Sequence, residues 1–324
     1  MRRRMGMLAA AGATAVLLAM APVVGAAGAQ GPSQPRGLPV GEDFRISGLL
    51  ATATDSQPAV AWNGTADEYL VVWMDYRNAS TSGTDIYGQR LPATGERLGA
   101  DFRIGGPAAT ANESDPAVAW NQTAGEYLVV WADQRNRAAR GWDIAAQRVS
   151  ATGERLGTNL RVGGPAATAN ESDPAVAWNQ TAGEYLIAWE DGRHGSPSST
   201  DIYGQRLSAA GARLGANVRI SGLDWSVSGL QPTVACSASA GECLVAWQDR
   251  RNESTSGYDI YGQVFSGAGA RLGANFRVGG PGAIGHDQAP AVAWNGTADE
   301  FLVVWQDLRD AARGFDIYGR RAEG

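Results

Sequence analysis

The chain has 324 residues with 27 basic and 33 acidic side chains, a net charge of −6, and arginine as its only strongly basic residue. An acidic chain is not expected to bind nucleic acid or anionic lipid through bulk charge. Its length suits one large domain or several small ones, and the internal repeats described below decide between them.

The N terminus has the composition of a secretory signal peptide. The basic start MRRRMGM precedes the apolar run LAAAGATAVLLAMAPVV, and GAAGAQ offers a small-residue cleavage site near Ala29. The apolar run is short for a membrane anchor, and no second run follows it. We therefore predict a signal peptide over residues 1–29, a Pro- and Gly-rich linker over 30–40, and a secreted, extracellular protein without membrane insertion after cleavage.

One sequence unit then recurs five times. PAVAWNGTADEYLVVW begins at Pro58, and copies begin at Pro116, Pro174, Pro232 and Pro290. Each copy contains strand-like segments separated by turns rich in Gly, Asn, Asp and Pro, and none has a helical apolar period. Copies of one supersecondary unit are expected to pack against their neighbours. The repeats therefore predict an all-β array.

The patterns of the strand segments indicate how the copies pack. In the first copy these segments cover residues 58–62, 69–73, 85–91 and 101–104. The second segment, YLVVW, is apolar on both faces, so both faces should be covered. The first segment, PAVAW, has small alanines on one side, as expected where sheets converge on an axis. Four-stranded antiparallel sheets stacked radially satisfy both conditions, which predicts a five-bladed β-propeller.

The two ends of the repeat region complement each other. The last copy stops after its third strand, at DIYGRRAEG, and the missing fourth strand appears at the N terminus, where GEDFRISG matches ADFRIGG at 100–106. We predict that residues 43–46 pair with the last blade and close the ring, so that residues 41–324 form one propeller.

The two cysteines replace an aromatic pair of the other copies. Cys236 stands where the first copy has Trp62, and Cys243 where it has Tyr69. These positions should be neighbours across one hairpin, and an exported protein meets an oxidising compartment. We predict a Cys236–Cys243 disulfide.

An Asp and an Arg two residues apart follow the second strand in every copy. We interpret them as structural braces for the next loop, because five identical solutions to one packing problem are what a repeat needs. The alternative is one ligand or metal site per blade. The pairs are Asp75/Arg77, Asp133/Arg135, Asp191/Arg193, Asp249/Arg251 and Asp307/Arg309.

The loops between the second and third strands and between blades differ from copy to copy, and we place any ligand-binding site on their face. Candidate ligand residues are the aromatic and histidine side chains of these loops: Trp142, Tyr258, Phe315, Trp225, His194 and His286. No His/Cys/Asp cluster has metal-ligand spacing, so no metal or cofactor is predicted, and calcium has no supporting motif.

The order of inner strand, turn, apolar strand and loop resembles WD40 and TolB-type β-propellers. The WxDxR…DIYGQR units are similar to those of secreted bacterial repeat proteins. The resemblance implies a propeller fold and does not imply an activity.

Three functions remain open. One is a secreted, non-catalytic binding propeller, lectin-like if its ligand is a carbohydrate, with a weak site per blade. Another is a glycan-active enzyme, which needs two carboxylates in different environments and therefore broken symmetry near the axis. The third is a scaffold for protein–protein interaction. Because the acids recur from blade to blade and 105–128 repeats at 163–186, we favour the monomeric binding propeller, with a glycan or protein ligand, over catalysis.

Overall fold

A computed structural model describes residues 42–48, 53–106, 111–136, 141–164, 169–193, 200–222, 228–279, 285–310 and 312–323. The predicted signal peptide and linker lie outside these ranges. Contacts divide the chain into residues 1–43, of which only 42 and 43 are described, and residues 44–324. The second unit carries all the secondary structure given below.

Strands make up the regular structure of the described residues, and none of these residues forms a helix. The alternation of β-branched and aromatic residues with Gly- and Asp-rich turns explains this outcome. The strands are β1 Asp55–Asn63, β2 Glu68–Asp75, β3 Asp85–Pro92, β4 Leu98–Arg103, β5 Glu113–Asn121, β6 Glu126–Asp133, β7 Asp143–Ser150, β8 Arg155–Arg161, β9 Glu171–Asn179, β10 Glu184–Asp191, β11 Asp201–Ser208, β12 Arg213–Arg219, β13 Gly229–Cys236, β14 Cys243–Asp249, β15 Asp259–Phe265, β16 Arg271–Arg277, β17 Asp287–Asn295, β18 Glu300–Asp307 and β19 Asp316–Glu323.

The strands form five antiparallel sheets in chain order. Four sheets have four strands, β1–β4, β5–β8, β9–β12 and β13–β16, and the fifth has β17–β19 in the part of the chain that is described. The inner strands β1, β5, β9, β13 and β17 contact one another in chain order. The predicted all-β, five-bladed propeller is confirmed. Each sheet is one blade, numbered 1 to 5 along the chain.

The core lies between blades. Leu70 and Val72 of blade 1 pack against Tyr127 and Val129 of blade 2, and the next three junctions repeat this arrangement. The second strands of blades 2, 3 and 4 are therefore covered on both faces, as their apolar sequence indicates, whereas Tyr69 of blade 1 and Leu302 of blade 5 are partly exposed. Burial of these side chains contributes about 1.5–3 kcal/mol each to folding.

The expected pairing of residues 43–46 with the last blade is not present. Residues 44–48 carry no strand, and β19 has no described strand on its outer side. Ile317 of β19 is 72% exposed, whereas its counterpart Ile144 is fully buried. The prediction of a ring-closing strand is therefore wrong in this detail.

Residues 44–48 nevertheless occupy the position that an outer strand takes against the following blade. The Phe44 ring lies against Gly95, as the Phe102 ring lies against Gly153 one blade later. The Gly48 amide also donates a hydrogen bond to Asp101 over 3.2 Å. The segment thus makes contacts with blade 1 but not the strand ladder with β19. The sequence similarity of this segment to an outer strand predicts both the contacts with blade 1 and the pairing with β19.

The disulfide is confirmed: Cys236 of β13 lies opposite Cys243 of β14, and their sulfurs are bonded. In blade 1 the same positions hold Trp62 and Tyr69, with ring centroids 4.5 Å apart. Among the described residues, no helix is long and apolar enough to cross a membrane.

Candidate functional site

The recurring Asp/Arg pairs lie within the scaffold. In blade 3 the Asp191 carboxylate accepts hydrogen bonds from the Trp189 indole at 3.1 Å and from the Arg193 amide at 2.9 Å. The Arg193 guanidinium bonds the same carboxylate and lies 4.1 Å from the centroid of the Tyr203 ring. The Asp and Arg of the other four blades form the same ion pair. These carboxylates are occupied by their own blade and are not displayed to a ligand.

Blade 4 departs from the expectation of five identical braces. In blades 2 and 3 the Arg also forms an ion pair with a second carboxylate, that of Glu113 or Glu171. The corresponding position of blade 4 is Gly229, which offers no carboxylate. Arg251 donates instead to the backbone carbonyl of Ser221 at 3.1 Å, while it keeps the ion pair with the Asp of its own blade at 2.6 Å. The second partner of the Arg therefore differs between blades, although the pair itself recurs.

The structure does not bring the three loop aromatics Trp142, Tyr258 and Phe315 together; Trp142 and Tyr258 each lie at the junction with the following blade. The Trp142 amide donates to the Asn170 side chain at 3.1 Å, and its ring packs on the core between blades 2 and 3. The Tyr258 ring lies 4.4 Å from the His286 ring. Phe315 is half exposed.

Of the four predicted ligand residues that the structure describes, Tyr258 and His286 are the pair that it brings together. Trp225 and His194 lie outside the described residues. Among the described candidates none lines the cavity that surrounds the propeller axis. Their assignment to a ligand site stays a prediction.

A bulge near the start of each inner strand marks the axis. The pairing of β1 with β2 shifts between Ser56 and Ala59, and equivalent shifts occur in the other blades. The bulged residue has a φ of about +50° although it is never glycine. Such conformations are unfavourable for residues with a side chain and concentrate at functional sites. The five residues are Gln57, Asp115, Asp173, Gln231 and Ala289.

The five bulged residues and the prolines that follow them surround one cavity of about 360 Å³, the axial cavity. Each bulge lies where its inner strand enters from the variable-loop face, so the axial cavity is near that face. Because the five positions carry three kinds of side chain (Gln, Asp and Ala), the symmetry of the repeat is broken at the axis.

Three carboxylates meet beside the axial cavity. Asp115 and Asp173 come from the bulges of blades 2 and 3, and Glu190 is the last residue but one of β10. Glu190 is only 7% exposed. A hydrogen bond joins its carboxyl to that of Asp173. In blade 2, the position of Glu190 is taken by Ala132, so the arrangement is specific to blade 3.

The two carboxyl groups of blade 3 hold protons more tightly than usual. Burial, strengthened by the charge of Asp173, raises the pKa of Glu190 from 4.5 to about 7. Burial and the nearby Asp115 also raise the pKa of Asp173. Two carboxyls that share a site cannot easily both ionise. Glu190 is therefore the member of the pair that carries a proton near neutral pH.

Asp115 has a different environment. Its carboxylate accepts hydrogen bonds from the Ser114 hydroxyl at 2.8 Å and from the side-chain amide of Gln57. Its backbone amide donates to the side-chain oxygen Oε1 of Gln57 at 3.0 Å. Glu190, beside the axial cavity, and Asp115, in its lining, are thus carboxyl groups with unlike hydrogen-bond partners, as acid–base catalysis requires.

A raised pKa alone does not mark the site. Burial also raises the pKa of Glu113 and of Glu171 to about 7. Glu171, however, is fully buried between blades and accepts a hydrogen bond from the Ile144 amide of the preceding blade at 3.0 Å. These two carboxyls support the blade junctions and do not line the axial cavity. No group of His, Cys, Asp and Glu in the described ranges could hold a metal ion.

Sequence reasoning missed the axial carboxylates. Asp115 and Asp173 lie in the stretch that blades 2 and 3 share, and identical residues suggested a scaffold role. The signal was in the alignment of the five copies, where the bulge reads Gln, Asp, Asp, Gln, Ala and the Glu190 position reads Met, Ala, Glu, Gln, Gln. Only the bulge geometry shows that these two columns meet at the axis.

Comparison with solved structures finds β-propellers that act on glycans. The α-L-arabinofuranosidase of Fusarium graminearum in complex with arabinobiose has a TM-score of 0.56 and 14% identity, covering 82% of this chain and 76% of its own. The α-L-arabinanase of Penicillium chrysogenum, also with arabinobiose, has a TM-score of 0.54 and 13% identity, covering 81% and 80%. The endo-arabinase of Bacteroides thetaiotaomicron has a TM-score of 0.51 and 12% identity, covering 87% and 98%.

At these identities the likeness establishes the fold. It supports the β-propeller resemblance but not membership of the WD40 or TolB families. No protein-family profile matches the sequence, and no curated protein is similar to it.

The preference for a non-catalytic, lectin-like propeller is corrected by these findings. The solved structures that the chain resembles include several glycosidases. That preference also assumed symmetric acids near the axis, whereas Asp115, Asp173 and Glu190 break the symmetry there.

Proposed function

We propose that the protein is a glycoside hydrolase whose active site is the axial cavity. The observation that carries this proposal is the group of Asp115, Asp173 and Glu190, three carboxyl groups in unlike environments on an otherwise repeated frame. Glycosidic bonds are hydrolysed by such pairs, one group acting as an acid and the other as a base or nucleophile.

Glu190 is the general acid in this proposal. Its pKa of about 7 keeps it protonated at neutral or mildly acidic pH, so that it can protonate the glycosidic oxygen as the bond to the anomeric carbon breaks. Asp173 assists by holding that proton on Glu190. Asp115 is the base: it takes a proton from the water that attacks the anomeric carbon.

The substrate in this proposal is an uncharged glycan. The residues that line the axial cavity are Gln, Asp, Ala and Pro, and none of those described is basic. Carboxylates in such a wall repel anionic sugars. Arabinobiose, which the Penicillium and Fusarium enzymes hold in their structures, is the first substrate to test. Export by the N-terminal signal sequence and action as a monomer outside the cell remain part of the proposal.

The test is hydrolysis of neutral oligosaccharides as a function of pH. The kcat/KM of an active substrate should fall about tenfold per pH unit above about pH 7, because the acid loses its proton there. Glu190→Gln should lower kcat at least ~100-fold. Glu154→Gln, which removes an exposed carboxylate in the turn on the opposite face, should not change it. Absence of hydrolysis across the panel, or full activity in the Glu190 variant, would contradict the proposal.

A further inference from the structure

We infer that the junction between blades 3 and 4 holds a second binding site, a pocket for one neutral aromatic ring. The pocket has a volume of about 170 Å³, and its wall includes Leu186 and Gly204 of blade 3, Val218 of β12 and Phe265 of blade 4. None of its described lining residues also lines the axial cavity. The site is therefore separate from the proposed active site, and the inference does not depend on hydrolysis.

The pocket lies beside a residue pair whose combined size is kept in the other four-stranded blades. In each of these blades, one residue of the third strand faces one residue of the outer strand. The pairs are Gly88 with Phe102, Ala146 with Leu160, Gly204 with Val218 and Gly262 with Phe276. Glycine thus faces phenylalanine and alanine faces leucine, except in blade 3, where glycine faces only valine.

The Phe102 ring shows what this place can hold. A Cβ atom on Gly88 would lie 3.4 Å from the Phe102 ring, and a Cβ atom on Gly153 of the next blade would lie 3.0 Å from it. The corresponding residues of blades 3 and 4 are Gly204 and Gly269, and both belong to the wall of the pocket. The pocket therefore lies between the same two backbone positions that enclose a phenyl ring two junctions earlier.

Val218 leaves this space accessible. It is 41% exposed, whereas Phe102 and Leu160 are partly buried and pack on the cores of their junctions. Gly215 and Ala216 of the same strand are exposed as well, so the pocket opens to solvent along β12. An apolar cavity of about 150 Å³ can bind benzene. A cavity of about 170 Å³ therefore has room for one aromatic ring.

The polar groups of the wall already have partners within the protein. The Arg206 guanidinium donates to the Glu184 carboxylate at 2.6 and 2.8 Å. The Gln205 side chain donates to the Leu214 carbonyl at 3.1 Å and accepts from Arg213 at 2.8 Å. The other described residues of the wall are apolar or glycine. A charged ligand would lose its hydration here without gaining partners, so the pocket favours a neutral ring.

The test is the binding of toluene to the protein, followed by methyl NMR and by thermal denaturation. The methyl signals of Leu186, Leu214 and Ile220 should shift saturably, with a Kd on the order of 1 mM or below, and toluene should raise the melting temperature. Val218→Phe supplies the ring that blades 1 and 4 carry, so it should abolish these shifts while the melting temperature is kept or raised. If this variant does not fold, Val218→Leu, the residue of blade 2, should weaken binding about threefold or more.

Phe102→Val is the matched control, because it gives blade 1 the glycine–valine pair of blade 3. It should create a second toluene site, with new shifts at Leu70, Leu98 and Ile104. Benzoate, which is charged, and methylcyclohexane, which has as many carbons as toluene but is thicker, should each bind the wild type about tenfold more weakly or worse.

Four results would overturn the inference. They are a wild type without toluene shifts, shifts that persist in Val218→Phe, a folded Phe102→Val variant without a second site, and equal affinity for toluene and either comparison ligand. None of these measurements uses hydrolysis, so they leave the proposed function to its own test.

Discussion

Replacing Glu190 by Gln should stabilise the protein, and only above a defined pH. Glu190 is nearly buried and lies against a second carboxyl, so its ionised form is unfavourable in the folded state. Blades 4 and 5 carry Gln248 and Gln306 at the equivalent positions, which shows that the frame accommodates an amide there. The substitution therefore removes a charge without a change of shape.

The magnitude follows from the pKa. The folded state raises the pKa of Glu190 from 4.5 to about 7, and one pKa unit corresponds to about 1.4 kcal/mol. Between these two values the folded protein binds more protons than the unfolded chain, so its unfolding free energy falls as the pH rises through this window. At pH values above about 7, Glu190 lowers the unfolding free energy by on the order of 3 kcal/mol. Below about pH 4.5 both states are protonated and the loss disappears.

Urea denaturation of the wild type and Glu190→Gln over about pH 4 to 9 measures this difference. The two proteins should be equally stable at the acidic end, and the variant should be more stable by on the order of 3 kcal/mol at the alkaline end. Subtracting the unfolding free energies of the two proteins at each pH cancels the contributions of other carboxyls whose pKa is raised, such as Glu113 and Glu171. A difference that stays constant with pH, or a variant that is less stable at alkaline pH, would refute the reasoning.

Two further predictions concern the scaffold. Reduction of the Cys236–Cys243 disulfide should lower the unfolding free energy by about 2–3 kcal/mol, because the bond closes a short loop in the unfolded chain. Urea denaturation with and without reductant measures this difference, and coincident curves would contradict the prediction. Asp191→Asn should cost about 2–3 kcal/mol, since it removes the nearer of the two buried carboxylates that pair with the Arg193 guanidinium. Asp310→Asn, which breaks an exposed pair with Arg313, should cost less than about 0.5 kcal/mol, and equal losses in the two variants would show that the blade brace is not stabilising.

The blades could be predicted because their determinants are local. Continuous apolar runs such as YLVVW need cover on both faces, and radial stacking of sheets supplies it. The Cys236–Cys243 bond was predictable for a related reason, since two substitutions at facing positions of one hairpin indicate contact. These inferences needed only the period of the side chains along a strand and the alignment of the copies.

The contacts of residues 44–48 show where sequence similarity is insufficient. The match to an outer strand predicts both a ladder with β19 and contacts with blade 1, and the structure has only the second. Phe44 packs on Gly95 through its side chain, which the sequence specifies. The pairing with β19 depends on backbone hydrogen bonds, and one short sequence match carries little information about them.

The candidate site was hidden for a different reason. Asp115 and Asp173 read as copies of one residue, but Asp173 meets Glu190 and Asp115 is held by Gln57. This difference depends on the bulge, whose positive φ turns each side chain into the axial cavity. A bulge is a shift of register between two strands and leaves no clear mark in one sequence. Reasoning from aromatic residues in the variable loops directed attention to Trp142 and Tyr258 instead.

The most direct test of the account is the assay of a variant with Asp115→Asn, Asp173→Asn and Glu190→Gln together. Product release from arabinobiose and a panel of neutral oligosaccharides is compared with the wild type, and circular dichroism checks that the fold is kept. We predict hydrolysis by the wild type and a loss of at least ~1,000-fold in the variant. Hydrolysis that persists in the folded variant, or a wild type that hydrolyses no member of the panel, would contradict the assignment of catalysis to the axial cavity.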